Sequence, residues 1–547
     1  MSEKQEHYYI PKLKEQLVEG KLDRREFLRY ATLLGLSAPA AYAFAGKVTG
    51  EDFAPAARAQ GLPQGGNLKI AQRVVEVVDP HSFSWVYDSN VVRQVAEYLT
   101  KTGHDNITRP YLVESWEASD DLKTWTLNIR KGVKWHNGRD FVADDAIANL
   151  MHMLNPESGS SVIGLMKGYM MNDEGTEIWD ANAIEKIDDH TFQMNLRVAQ
   201  VAIPEHLFHY PAAILDPEEG FKFGIGSNGT GAFDLVEHEV GVKSILKARD
   251  DYWGDGPHLD VLSFIDLGDD PSAEVGAIAS KQVHGNYDGD VGQVDIYNAI
   301  PHITLYQANT AQTAVARLQI DRPEFADPRV RKAFRLAIDS ARVLEIAHRN
   351  LGAKGEHHHV SPVHPDYYSL PDMARDVAGA RQLLADAGFA DGFETEIACK
   401  KDPAWELNAV QAMVEQWKEA GINVNINLMP SAQFWDNWDK VPFGFTSWTH
   451  RPLGFMVLAL AYRTGVPWNE SHYSNAKFDE LLTTAEGTLD IDQRKEIMKD
   501  LETIMQEEGP IVQPVWRAVF SVMDKSVQGY QKHPTNYIFG EELAIES

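Results

Sequence analysis

The run Phe445-Thr446-Ser447-Trp448-Thr449-His450-Arg451-Pro452-Leu453 sets a guanidinium three residues after an indole. An arginine repels an ammonium group. It suits a carboxylate or a phosphate, which its planar fork engages bidentately, or it pairs with an acid of its own chain. Trp405 follows Lys400-Lys401-Asp402-Pro403-Ala404, and Trp435 stands with Trp438 in Gln433-Phe434-Trp435-Asp436-Asn437-Trp438. Trp85 and Tyr87 follow Asp79-Pro80-His81. Each of these rings either packs in a core or walls a ligand. Together with Trp448, Thr449, His450 and Arg451 they form the candidate set for a solute site, which needs aromatic walls and a few fixed polar groups. His357-His358-His359, with His364 nearby, offers imidazoles to a metal. Consecutive histidines do not share one helical face, however, and Pro362 and Pro365 mark an extended loop, so packing or direct ligand contact is the competing reading. The glycine-rich run Gly226-Ser227-Asn228-Gly229-Thr230-Gly231-Ala232-Phe233 lacks the Lys-Ser/Thr of a phosphate-binding loop. It is either structural or a ligand contact. No Ser/His/Asp set or glutamate pair has supporting context, so no catalytic residue, metal ligand or cofactor is assigned.

These residues need strands and helices to hold them. In Thr124-Trp125-Thr126-Leu127-Asn128-Ile129-Arg130 the apolar residues alternate with polar ones, which predicts a half-buried strand. Asn137-Gly138 predicts a tight turn. Asp144 or Asp145 is expected to cap a helix with Ile147, Leu150, Met151 and Leu154 on its apolar face. A further helix is expected over residues 90–99. A strand pair is expected around Ile184–Ile187 and Phe192–Leu196, turning at Asp188-Asp189-His190. Asp327 should cap a helix whose stripe is Val330, Phe334, Ala337 and Ile338. A helix over 404–420 stops at Gly421, and Ile422, Val424, Ile426 and Leu428 alternate with three asparagines as a strand. Two amphipathic helices follow, ended by Pro510, and 511–524 reads as one strand. Helix and strand in alternation give an α/β lobe.

With 547 residues the chain is too long for one core. Its net charge of -29, from 51 basic and 80 acidic residues, argues against nucleic acid and anionic membrane surfaces as partners. The single cysteine, Cys399, excludes an internal disulfide and a cysteine-based zinc site. Near the N-terminus, Arg24-Arg25 precedes an apolar run over 31–45, short for a membrane span. Small-x-small sites follow at Ala43-Phe44-Ala45 and Ala57-Arg58-Ala59. This is the layout of a cleaved export signal of the twin-arginine class, with Arg24 and Arg25 as the signal pair and cleavage between Gly46 and Gln60.

The stretch over 111–145 resembles the signature region of the family 5 extracellular solute-binding proteins, the dipeptide-, oligopeptide- and nickel-binding components of ABC importers. The resemblance rests on Glu114-Ser115-Trp116, Ser119-Asp120-Asp121, the run from Arg130 to Gly138 and Ala143-Asp144-Asp145. Arg249-Asp250-Asp251-Tyr252-Trp253-Gly254-Asp255-Gly256-Pro257-His258-Leu259-Asp260 is similar to a second motif of that family, with Arg249 in place of its usual asparagine, and Asp327 to Asp339 to a third.

The resemblance implies an α/β, two-lobed periplasmic-binding-protein fold of type II, with a subdomain inserted in the first lobe. The expected division is leader 1–59, lobe I 60–100, inserted subdomain 101–197, lobe I 198–305, lobe II 306–510, and a return to lobe I over 511–547. It implies a soluble, monomeric periplasmic receptor, no enzyme, that closes its lobes on a solute and delivers it to the permease subunits of an ABC transporter. The twin-arginine export machinery would be the other partner. In the family's peptide binders a Gly-Trp-x-x-Asp-Tyr run occupies the place of 447–452, and its aspartate holds the peptide ammonium. Here that position falls on or beside Arg451, which points toward an anionic or zwitterionic solute: an opine, a modified amino acid or an acidic peptide. The alternatives are a nickel or metal-chelate receptor using His357–His359, and a hydrolase on a receptor-like fold.

Overall fold

The computed structural model describes residues 6–50, 61–77, 79–83 and 86–546. Trp85 and the Ala57-Arg58-Ala59 site lie outside the described residues. The chain divides into two units. One comprises Met1–Tyr287, His302–Thr304 and Val522–Ser547; the other comprises Asp288–Pro301 and Leu305–Ser521.

In the first unit the strand Asn67–Ala71 pairs in parallel with Val261–Ile265 and with Gly285–Asn286. Val261–Ile265 continues antiparallel to Lys243–Ala248, which pairs with Phe233–Glu239. A separate antiparallel sheet runs Val113–Ala118, Thr124–Ile129, Thr191–Asn195, Ile184–Asp188. Trp125, Leu127 and Ile129 are buried and alternate with partly exposed neighbours, as the period-2 pattern requires. The turn at 188–190 joins the last two strands as expected.

Two helices in this unit depart from expectation. Helix Ala143–Met153 buries Ala146, Asn149, Leu150 and Met153, while Met151 is 48% exposed. The stripe is rotated because a polar residue sits on the inner face: Asn149 Nδ2 donates to Asp145 O and Leu215 O, and its Oδ1 accepts from Leu215 N. Asp145 does not cap from outside. It lies in the first turn and accepts from Val142 N at 3.0 Å. The expected helix over 90–99 runs Val86–Val95 instead. It stops where the glycine-rich loop meets it, Gly231 N donating to Val95 O. A Cβ on Gly229 would stand 1.9 Å from Val95 O and one on Gly231 2.4 Å from Gln94 O, so both glycines serve a close backbone approach. His136 N donates to Gly229 O, fastening the same loop to the Asn137-Gly138 turn.

The N-terminal segment forms helices Ile10–Val18, Arg24–Leu33 and Ala38–Thr49. Trp116 Nε1 donates to Leu33 O and Arg29 Nε to Asn106 O. Among the described residues no helix is long and apolar enough to cross a membrane.

Lying mainly in the second unit, the remaining strands have the order Ile422–Met429, Phe393–Lys400, Phe443–Trp448, Ile303–Leu318, Val515–Asp524. The first three are mutually parallel, and Phe443–Trp448 runs antiparallel to Ile303–Leu318. Helix Pro328–Leu336 begins at Asp327, whose side chain accepts from Arg329 N. It meets helix Ala404–Glu419 through Phe334 and Trp417, which also donates Nε1–H to Phe334 O. Phe325, Phe393 and Phe443 complete that aromatic core. The stretch 511–524 is two strands, Ile511–Val512 and Val515–Asp524. Pro514 lacks a donor for the ladder. Gln513 bridges the gap instead, with Nε2 donating to Thr313 Oγ1 and Val515 O, and Oε1 accepting from Glu356 N and His357 N.

Candidate functional site

The three parallel strands of the second unit end together at Lys400, Met429 and Trp448. Ligands of open α/β sheets bind outside the carboxyl ends of such strands. The segments leaving these ends carry Trp405 in the first turn of helix Ala404–Glu419, Trp435 at the end of helix Ser431–Trp435, and the 449–451 turn, so topology gathers the second unit's candidates at one end of the sheet.

Their common neighbour is Lys400. Its Nζ lies 2.6 Å from Glu406 Oε2, 2.7 Å from Ser447 Oγ and 4.5 Å from the Trp435 ring centroid. Ser447 Oγ donates in turn to Glu406 Oε1. Lys400 and Glu406 are both buried. An ion pair out of water holds its geometry only if its remaining donors and acceptors are met, as Ser447 does here. Trp405 packs against His348 and Phe445, and the Arg517 guanidinium lies 5.3 Å over its ring. Arg517 Nη2 donates to Asp288 Oδ2 at 2.9 Å.

Trp448 faces inward. Its Nε1 donates to Glu470 Oε1 at 3.0 Å, and its ring meets His359 and Trp468 edge-on. Glu470 also accepts from Arg317 Nε at 2.7 Å and from Thr446 Oγ1 at 2.6 Å. Burial pushes the Glu470 carboxyl above its ordinary value, outweighing Arg317, Thr446 and Trp448, which pull it down. Trp435 is half-buried and links through Trp438 and Trp468 to Trp448, a continuous aromatic path.

After Trp448 the chain turns. Thr449 is partly exposed, and His450 is buried with Nδ1 accepting from Ala311 N at 3.0 Å. That bond ties the turn to strand Ile303–Leu318. Arg451 is buried, and its Nη1 donates to Thr449 Oγ1 and to His450 O. His364 Nε2 donates to Arg451 O. The turn thus supplies two of the guanidinium's acceptors.

The histidine triplet is spread over separate partners. His357 Nδ1 accepts from Gln513 N, His358 Nδ1 from Val360 N, and His359 Nδ1 meets Tyr462 OH at 2.6 Å. Burial holds His357 and His358 down to about 3, so both rings are neutral. Among the described residues no three ligand atoms converge around them. Cys399 is buried, its thiol pushed up to about 12 by the loss of water.

In the first unit Tyr87 is partly exposed and meets Tyr287 edge-on at 6.3 Å. Arg25 Nε donates to Asp105 O, and the Arg24 guanidinium lies over Tyr42. Both arginines line a cavity of about 940 Å³ with Tyr42, Lys101, Asp105 and Arg109.

Sequence reasoning did not single out Lys400, Glu406, Ser447, Asp288, Arg517 or Glu470. A lysine ending an apolar strand, with a glutamate in the first turn of the next helix, was the available signal for the first two. Asp288 and Arg517 are 229 residues apart and carried none.

The family model for bacterial extracellular solute-binding proteins, family 5 (middle), matches residues 108–465. Heme-binding protein A of Haemophilus influenzae is 24% identical over 475 residues, spanning 80% of this chain and 84% of its own length. Periplasmic oligopeptide-binding protein OppA of Salmonella typhimurium is 25% identical over 551 residues, spanning 92% and 97%. The solved structure of AgaA from A. tumefaciens R10, in complex with agropinic acid, superposes with a TM-score of 0.79 at 21% identity, covering 88% of this chain and 99% of that one. The fold is thus the type II periplasmic-binding-protein fold. On the extent of the family match, this chain belongs to the bacterial extracellular solute-binding proteins of family 5, the binding components of ABC importers.

Proposed function

We propose that the chain captures a carboxylate-bearing small solute, a zwitterionic opine, modified amino acid or acidic peptide, and hands it to an ABC permease without transforming it. The observation that carries this reading is the buried Arg451 guanidinium, set by Thr449 and His450 directly after a parallel strand end. A guanidinium so fixed is preorganised for a bidentate carboxylate. Trp435, Trp405 and Thr449, all of the second unit, supply walls and a hydroxyl. The agropinic acid complex of AgaA and the oligopeptide-binding OppA support an opine or peptide reading. Arg24-Arg25 directs export by the twin-arginine route, and the mature protein works as a periplasmic monomer. The 940 Å³ cavity is walled in part by Arg24 and Arg25, so it would not survive removal of the leader and is not the solute site.

Bound solute stabilises by RT ln(1 + [L]/Kd), so a thermal-shift screen of opines, peptides and amino acids finds it. The stabilising solutes should carry a free carboxylate, and Arg451→Lys should weaken binding about tenfold or more, since an ammonium cannot form the paired bonds. Equal affinity for the carboxamide analogue, or unchanged binding by Arg451→Lys, would refute the assignment.

A further inference from the structure

In the first unit, the turn Asp79-Pro80-His81 meets the last turn of helix Ala143–Met153. His152 Nε2 lies 3.3 Å from Asp79 Oδ2, and the His81 and His152 ring centroids are 5.1 Å apart. One ligand atom from each of Asp79, His81 and His152 lies within 4.8 Å of the other two. His81 is fully buried. Its Nε2 bonds to Ala213 O at 2.8 Å, and since a carbonyl only accepts, that nitrogen carries the proton. The other nitrogen, Nδ1, is then a bare lone pair. It is buried and makes no hydrogen bond of normal geometry, although the Asn149 side chain lies near the ring. A hydrogen bond between His152 and Asp79 alone would leave that lone pair unexplained; a cation would use it.

The surroundings are those of a metal ligand set. An imidazole whose far N–H is held by a carbonyl is the usual outer-shell arrangement, which fixes tautomer and ring direction. Asp79 Oδ1 accepts from His81 N at 2.9 Å, orienting the carboxylate. Phe221 stacks on His152 with centroids 4.2 Å apart and fixes the second ring. Donor atoms bound to one ion at ~2.0–2.2 Å lie roughly 3–4 Å apart, so the set needs only small side-chain adjustments.

We propose that Asp79, His81 and His152 bind one divalent first-row cation, Zn²⁺ or a borderline metal of the same preference, in the first unit. Two imidazoles and a carboxylate match that class of ion rather than Mg²⁺ or Ca²⁺. The ion ties the turn before helix Val86–Val95 to helix Ala143–Met153. It is a structural site.

The test is calorimetric titration of the tag-free, EDTA-dialysed full chain with Zn²⁺, paired with thermal melts. The expected result is a single saturable site, an EDTA-reversible rise in melting temperature, and binding weakened about tenfold or more in Asp79→Asn and in His152→Gln. The amide oxygen introduced by Asp79→Asn retains the acceptor for His81 N, so that variant should fold even if His152→Gln does not. His472→Gln, at the surface His472–Asp321 pair, should bind as the parent does. A parent chain with no saturable Zn²⁺ site, or variants at Asp79 and His152 that keep full affinity, would overturn the assignment.

Discussion

Replacing Glu470 by glutamine should be among the costliest conservative changes in the second unit. Glu470 and Arg317 are both buried, with side chains 4% and 1% exposed, and meet at 2.7 Å. Glutamine keeps the shape and one acceptor for Trp448 Nε1 or Thr446 Oγ1. It removes the negative charge and leaves the guanidinium without its counter-charge. Breaking a buried pair from one side costs about 3–5 kcal/mol. For the roughly 230 residues of this unit, an unfolding entropy of about 2.1 cal/mol/K per residue gives ~0.5 kcal/mol per degree. The melting temperature should therefore fall by roughly 6–10 °C. Thr446→Val is the internal comparison: it removes one neutral donor to the same carboxylate and should cost about 1 kcal/mol, or roughly 2 °C. Differential scanning calorimetry of the solute-free protein reads both. A Glu470→Gln shift no larger than that of Thr446→Val would show that charge pairing does not hold this corner, and that Trp448 is positioned by packing alone.

Glu97 should give a pH signature. It accepts from Tyr252 OH at 2.7 Å and Trp253 Nε1 at 2.8 Å, and burial raises its pKa from 4.5 to about 7. The folded state binds this proton more tightly than the unfolded chain. Stability from this group is therefore full below pH 4.5, falls as pH rises toward 7, and is flat above. The loss is about 3 kcal/mol, and Glu97→Gln should abolish that slope in urea titrations at several pH values; parallel curves for the two proteins would count against it. Arg24→Lys with Arg25→Lys should strand folded precursor in the cytoplasm, measured by cell fractionation; undiminished periplasmic protein would rule out the twin-arginine route.

Several elements could be read from local pattern because one face of each decides its fate. The strand Thr124–Ile129, the helix capped by Asp327 and the helix Ala404–Glu419 all lie where alternation or 3.6-residue periodicity put them. Where polar residues do the packing, the pattern misled. Asn149 rotates the face of helix Ala143–Met153 inward through bonds to Leu215, a partner 66 residues away. Helix Val86–Val95 ends early because Gly231, 136 positions on, takes its last carbonyl. Hydrophobic period carries no information about either event.

The chain's own order of residues determined the family, the α/β class and the aromatic and arginine residues of the 445–453 run, since these rest on short motifs and local periodicity. Only tertiary structure decided what those side chains meet. It turned Trp448 toward Glu470, joined Lys400 to Glu406 and Ser447, dispersed His357, His358 and His359 among separate partners, and brought Asp79 and His81 to His152. Each is a contact between residues distant in sequence or on different elements. Which donor meets which acceptor is set by how whole strands and helices pack, a property that no local window contains.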